Sequence, residues 1–223
     1  ELDVFCGPAG LPPQRDRLLR GRGDGTFEDV TARALAGHTP GYALAVLPFD
    51  ADHDGDTDLF VAHDSASNRL WINDGRGSFT DHGFEAGVSL SGEGRAQAGM
   101  GAAAGDVDRD GIFDFAVTNF SDEPTELYLG AASGFARATH RYGMLRETRR
   151  LLSWSVHLVD LDADGWLELV QTNGHVYPQA DAPNTGTSYA QPLTAWHLGP
   201  LPGSTPLVAQ GPRSVFTRAT GGR

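Results

Sequence analysis

The chain has a single cysteine, Cys6, and no lysine: its 17 basic residues are all arginine. One thiol cannot form an internal disulfide, and without lysine neither Schiff-base chemistry nor a lysine-dependent phosphate cradle is available. No apolar run reaches the ~18 residues of a membrane-spanning helix. G-x-S-x-G, H-E-x-x-H, P-loop and paired-cysteine motifs are also missing, so the common hydrolase, zinc-protease and nucleotide-binding classes lose their sequence support. Positive charge is scarce. The 29 acids outweigh the arginines to give a net charge of −12 and a pI near 4.9, which disfavours nucleic acid and anionic membrane as partners.

The acids are concentrated in one motif, written three times: Asp50-Ala-Asp52-His-Asp54-Gly-Asp56-Thr-Asp58, Asp106-Val-Asp108-Arg-Asp110-Gly-Ile112-Phe-Asp114 and Asp160-Leu-Asp162-Ala-Asp164-Gly-Trp166-Leu-Glu168. Acids at positions 1, 3 and 5, glycine for a sharp turn at 6, a backbone carbonyl at 7 and an acid at 9 can wrap oxygen ligands around a hard cation, Ca2+ above all. About three Ca2+ per chain are therefore expected. An EF-hand needs a bidentate Glu at position 12, where this chain has Val61, Val117 and Gln171. Each loop instead runs into a short apolar stretch such as Leu59-Phe-Val-Ala62, so the acid at position 9 opens a buried strand. Without metal the clustered carboxylates repel one another and the fold is weakened.

A repeat of about 55 residues built from short strands and glycine turns predicts an all-β fold, a β-propeller of four-stranded blades. The reading gives one domain over 1–223: a partial blade at 1–40, blades at 41–97 and 98–150, and a blade at 151–223 with a long insert at 173–195. The first full copy places strands at 43–49, 59–63, 69–73 and 78–82, and the second at 98–105, 115–119, 126–129 and 135–139. The third places them at 152–159, 168–172, 195–198 and 214–220. Before them, 17–20 and 26–30 read as the third and fourth strands of a blade whose first two are missing. With about three and a half blades, the expectation is a piece of a larger propeller whose remaining blades are its partner.

The turn-plus-aromatic hairpins Gly21-Arg-Gly-Asp-Gly-Thr-Phe27 and Asn73-Asp-Gly-Arg-Gly-Ser-Phe79 resemble the FG-GAP/VCBS repeats of integrin-type propellers. More narrowly, Cys6-Gly-Pro8, Gly25-Thr-Phe-Glu-Asp-Val-Thr31, Gln97-Ala-Gly-Met-Gly101, Thr118-Asn-Phe-Ser-Asp-Glu-Pro124 and Asn173-Gly-His-Val-Tyr-Pro-Gln179 resemble the ASPIC/UnbV, or cartilage-acidic-protein-like, family. That resemblance runs from Cys6 to about Gln191 and implies a seven-bladed calcium-binding propeller in an extracellular or periplasmic setting. The chain departs from the family in its proline-rich stretch at 200–212 and lacks the C-terminal ASPIC module, so nothing residing in that module carries over.

If the acidic loops occupy one face, the loops joining second and third strands emerge on the other, where a rigid scaffold presents binding residues. His63, Asn119 and Asn173 each follow the last acid of their loop by five residues, so pseudo-symmetry places them around one axial funnel, with Asp64, His175 and Tyr177 nearby. The primary reading is a binding or adhesion scaffold with structural Ca2+ that presents this face to a protein or glycan. The alternative is an enzyme or redox-metal protein with His63 and His175 as nitrogen ligands and Asp64 as an oxygen ligand or base. Arg22-Gly-Asp24 falls in a glycine turn that turn chemistry explains, and Trp71, Trp154, Trp166 and Trp196 are read mainly as packing residues. Arg146, Arg149 and Arg150 form a small basic cluster in an inter-blade loop.

Overall fold

The computed structural model describes residues 7–8 and 10–199 and the backbone of 206–208. Three four-stranded antiparallel sheets follow one another along the chain, each in the order in which its strands are written. The first contains β3 (Ala43–Phe49), β4 (Asp58–His63), β5 (Arg69–Asn73) and β6 (Phe79–Asp81), and the second β7 (Gly99–Gly105), β8 (Asp114–Asn119), β9 (Glu126–Ala131) and β10 (Gly134–Arg137). The third contains β11 (Ser153–Val159), β12 (Glu168–Asn173), β13 (Thr194–His197) and β14 (Pro206–Val208). Ahead of them a two-stranded hairpin pairs β1 (Leu19–Gly21) with β2 (Phe27–Asp29). The fold is a partial β-propeller.

The fourth strand of the third sheet differs from the sequence reading. It is Pro206–Val208, paired with β13 through Ala195↔Leu207, whereas 214–220 lies outside the described residues. A proline at the first residue of an outer strand leaves no ladder bond unmade. Two short helices, α1 (Thr31–Ala34) and α2 (Met144–Thr148), occupy inter-sheet connections that carry no helical periodicity.

The first strands gather side by side, with β7 packed against both β3 and β11. All three carry a register irregularity near their start, between Ala43 and Ala45, Gly99 and Gly101, and Ser153 and Val156. Bulges of this kind tighten the twist and bend the strand. Between the first and second sheets lies an aromatic core of Phe49, Phe60, Phe115 and Tyr128. Between the second and third lies one of Leu127, Met144, Leu169, Trp196 and Leu198. The half-sheet is held to the first full sheet by Leu18, Leu35, Val61 and Trp71.

The glycine and alanine of β7 are a packing requirement. A Cβ on Gly101 would overlap the Trp154 carbonyl oxygen and come within 3.2 Å of Ser155 Cα. Because the obstacle is backbone rather than a mobile side chain, Gly101→Ala is expected to cost about 1–3 kcal/mol, read as a lower thermal midpoint. A midpoint equal to that of the parent protein would show that the two sheets can separate without loss.

Candidate metal centres and the opposite face

Each acidic loop closes the hairpin between a first and a second strand, and its backbone is the same three times. Position 4 (His53, Arg109, Ala163) has φ of 65°, 65° and 59°, and the glycine at position 6 (Gly55, Gly111, Gly165) has 91°, 88° and 88°. A side chain at positive φ is strained, so these conformations persist because the loop's own hydrogen bonds hold them. The position-6 amides of Gly55, Gly111 and Gly165 donate to Asp50, Asp106 and Asp160 at 3.1, 3.1 and 2.9 Å. The position-7 amides of Asp56, Ile112 and Trp166 donate to Asp54, Asp110 and Asp164 at 2.9, 2.8 and 2.9 Å.

The acid at position 9 does more than its place in the motif announces. Asp58, Asp114 and Glu168 are buried and accept the position-2 amides of Ala51, Val107 and Leu161 at 2.7, 2.6 and 2.8 Å. In the first two loops the second carboxylate oxygen takes a backbone N–H from the third strand, Asn73 to Asp58 at 2.8 Å and Gly130 to Asp114 at 2.7 Å. This acid thus ties loop, second strand and third strand together. Glu168 is one methylene longer, and its Oε1 lies 2.6 Å from the His197 ring nitrogen Nδ1.

Three acid oxygens then converge in each loop. Asp50, Asp52 and Asp58, then Asp106, Asp108 and Asp114, then Asp160, Asp162 and Glu168 each offer ligand atoms within 4.8 Å of one another. The position-5 acids Asp54, Asp110 and Asp164 lie outside these triads and cap the turn. Asp50 Oδ1 and Asp108 Oδ1 are buried without a hydrogen-bond partner among the described residues. Burial, reinforced by Asp110 and Asp106, pushes the Asp108 carboxyl up. Burial also raises Asp58, with Asp52 and Asp54 adding to it, and takes Asp114 to about 6. Orphaned oxygens and destabilised negative charge on hard oxygen donors fit a divalent cation.

Proton and cation compete for Asp114. A cation needs the ionised carboxylate, so affinity at the second loop falls as pH drops through about 6. The histidines act in the same direction on the loaded protein. Burial lowers His38, His63 and His175 below their ordinary 6.5, so the unfolded chain takes up their protons first and stability is lost as pH falls below 6.5. A cation-loaded protein should therefore melt several degrees lower at pH 5 than at pH 7.5, with cation affinity about tenfold weaker at the second site. A flat profile would contradict both attributions.

Antiparallel order puts the loops joining second and third strands at the end opposite the acidic hairpins. His63 there is fully buried: its Nδ1 accepts the Tyr42 amide at 3.1 Å, and its Nε2 faces Asp16 at 3.8 Å. His38 lies 3.6 Å from the same Asp16 carboxylate. Asn119, also buried, donates from its amide to the Pro124 carbonyl at 2.7 Å, and Asn173 donates to the Pro192 carbonyl at 2.7 Å. Both asparagines thus pin their own loops. Asp64 is half-buried and accepts the Ser65 hydroxyl at 2.8 Å. His175 and Tyr177 are half-buried in a separate aromatic group with Phe120, at centroid distances of 5.5 Å for Phe120–His175 and 5.1 Å for His175–Tyr177.

The two histidines sit in different clusters, and each ring nitrogen Nδ1 already accepts a backbone amide, from Tyr42 and from Tyr177. In a neutral ring the remaining Nε2 then carries the proton and offers no lone pair to a metal. Asp16, His38 and Arg69 complete the surroundings of His63, and no sequence spacing announces them. Trp71 and Trp196 are buried, whereas Trp154 is 42% exposed and Trp166 lies under the Arg109 guanidinium at 5.0 Å. In the Arg22-Gly-Asp24 turn, the Asp24 carboxylate folds back onto the amide and hydroxyl of Thr26.

Successive four-stranded sheets with their first strands adjacent, each bearing an acid-lined hairpin able to hold a cation, define a repeat protein of the propeller class. The FG-GAP-like repeat matches residues 1–61, 50–117 and 106–170, each match ending in the strand that follows an acidic loop. The chain belongs to the FG-GAP-like repeat family. No curated protein matches it.

Proposed function

We propose that the chain is the calcium-stabilised portion of an extracellular propeller, of the ASPIC/UnbV kind, that serves as a binding or adhesion scaffold. The observation that carries this reading is the threefold recurrence of one loop geometry, with three converging acid oxygens each time. Oxygen-only ligand sets suit Ca2+, and a site half-saturated at ~10 μM would be filled in a compartment holding ~1 mM calcium. The ions are structural in this reading, because each loop's position-9 acid stitches strands together. Ligand binding falls to the opposite face, where Phe120, His175 and Tyr177 pack together beside Val176, 38% exposed, and Tyr189, 45% exposed. Aromatic and apolar groups set among polar loops suit a protein or glycan ligand.

The test is a screen of immobilised chain against glycans and extracellular protein domains in 1 mM Ca2+, repeated with Val176→Asp and His53→Ala. The proposal expects a partner that Val176→Asp weakens at least tenfold and His53→Ala leaves unchanged. A partner sensitive to His53→Ala alone would place binding on the calcium face, and the absence of any partner would reduce the chain to architecture.

A further inference from the structure

Just ahead of each first strand stands a backbone amide, that of Tyr42, Ala98 or Leu152, which the loops of the opposite face satisfy in different ways. Tyr42 donates to His63 Nδ1 at 3.1 Å and Leu152 to the Gln191 side-chain carbonyl at 2.9 Å, both neutral acceptors. Ala98 donates instead to a carboxylate, Glu123 Oε2, at 2.7 Å. The repeat position beside it differs as well. Asn173 pairs with Ser153 across the ladder, and its Oδ1 accepts the Ser153 hydroxyl at 2.7 Å and the Gln171 amide at 3.0 Å. Its counterpart Asn119 pairs with Gly99, and Val117 stands where Gln171 does, so neither donor is there. Asn119 is 2% exposed, and its Oδ1 is buried without a hydrogen-bond partner among the described residues. A buried acceptor in that state is costly unless something donates to it.

We infer that the second sheet's end of the opposite face takes a lysine side chain of a protein partner, its ammonium set among Asn119 Oδ1, Glu123 and Asp64. This rests on the ligand-face reading and names what that face recognises. The three groups are neighbours. The Asn119 amide holds the carbonyl of Pro124, the residue after Glu123, at 2.7 Å, and the bridge between Ala66 and Gln97 brings the Asp64 loop alongside Ala98. Burial pushes the Glu123 carboxyl up, the Asp64 and Asp122 charges add to it, and the Ala98 amide and Arg149 oppose it. Three acids against one arginine leave the place short of positive charge. Among the described residues these acids join no triad converging within 4.8 Å, as the acidic loops do, so they do not close on a metal ion. A guanidinium fits poorly too. Its planar fork seeks both oxygens of one carboxylate, whereas Ala98 holds one oxygen of Glu123 and the Ser65 hydroxyl one of Asp64. A tetrahedral ammonium brings three separate donors to three separate acceptors, and its alkyl stem can lie along the half-buried Phe120 ring. The chain has no lysine, so neither its own side chains nor those of a second copy supply the group.

The probe is Nα-acetyl-lysine amide, titrated into the full chain in 1 mM Ca2+ and followed by heteronuclear NMR, with the arginine and norleucine analogues alongside. Saturable shifts at the Asn119 side-chain amide and the Ala98 backbone amide are expected, at least fivefold weaker binding for arginine, and none for norleucine. Glu123→Gln keeps an acceptor for Ala98, so it should weaken lysine binding at least tenfold without lowering the melting curve. Asp64→Asn should do the same independently. No saturable shift, equal binding of arginine, or indifference to both substitutions would overturn the inference. So would displacement of the probe by excess Ca2+ with a fourth ion bound, which would make a metal the occupant. A partner from the screen that Val176→Asp weakens and Glu123→Gln does not would overturn the lysine assignment alone, whereas lysine binding without any partner would uphold it and count against the scaffold reading.

Discussion

Chelating calcium from the folded chain is expected to lower its thermal midpoint by roughly 20 °C. Three sites, each half-saturated at ~10 μM and bathed in ~1 mM calcium, together stabilise the fold by about 8 kcal/mol, and a chain of this size shifts by about 2–4 °C per kcal/mol. The structural reason lies in the loops. Three acid oxygens lie within 4.8 Å of one another in each, and burial disfavours the charge on Asp58, Asp108 and Asp114. A cation converts that repulsion into attraction. Neutralising one acid of a converging triad, Asp52→Asn or Asp162→Asn, should lower the midpoint in calcium and change it little in chelator. The check is a pair of melts per variant, with and without chelator. An equal loss in both would show that the carboxylate supports the fold alone and contributes nothing to metal binding.

Phe115→Ala should destabilise the fold by about 3–5 kcal/mol, whatever the calcium level. Phe115 is fully buried and stands at the centre of the core between the first and second sheets. Its ring lies 4.8 Å from Phe60, 4.8 Å from Tyr128 in a stacked arrangement, 4.9 Å from Phe135 edge-on and 5.7 Å from Phe49. Phe49 and Phe60 belong to one sheet, and Tyr128 and Phe135 to the next. Removing the ring leaves a cavity whose walls are strands of two sheets, fixed by their own ladders and unable to collapse inward. Denaturant unfolding in chelator isolates the effect from metal. A loss below about 1 kcal/mol would mean that the sheets stand independently, contrary to their shared core.

The parts of the fold written in local chemistry were legible in the sequence. The acid spacing and its glycine marked the three acidic hairpins, and β3 and β5 have the boundaries read from their apolar stretches. Pro206–Val208 escaped the reading because prolines mask strand character, and only the outer edge of a sheet tolerates one at that place. The position-9 acid was legible as a ligand and as the opening of a buried strand, but its tie to the third strand was not, since its bonds to Asn73 and Gly130 join segments that are distant in sequence. His63 shows the same limit from the other side. Its repeat position put it in an axial funnel, yet Asp16, His38 and the Tyr42 amide enclose it. Such meetings depend on how one sheet's loops settle against its neighbour, which no spacing rule encodes.

The measurement closest to the central claim is the metal content of the purified chain, dialysed against micromolar calcium and measured by elemental analysis with a parallel calorimetric titration. The account predicts three calcium ions per chain, with the second site losing its ion first as pH falls below about 6. A chain that binds no calcium, or one that holds stoichiometric copper, iron or zinc in its place, would contradict it.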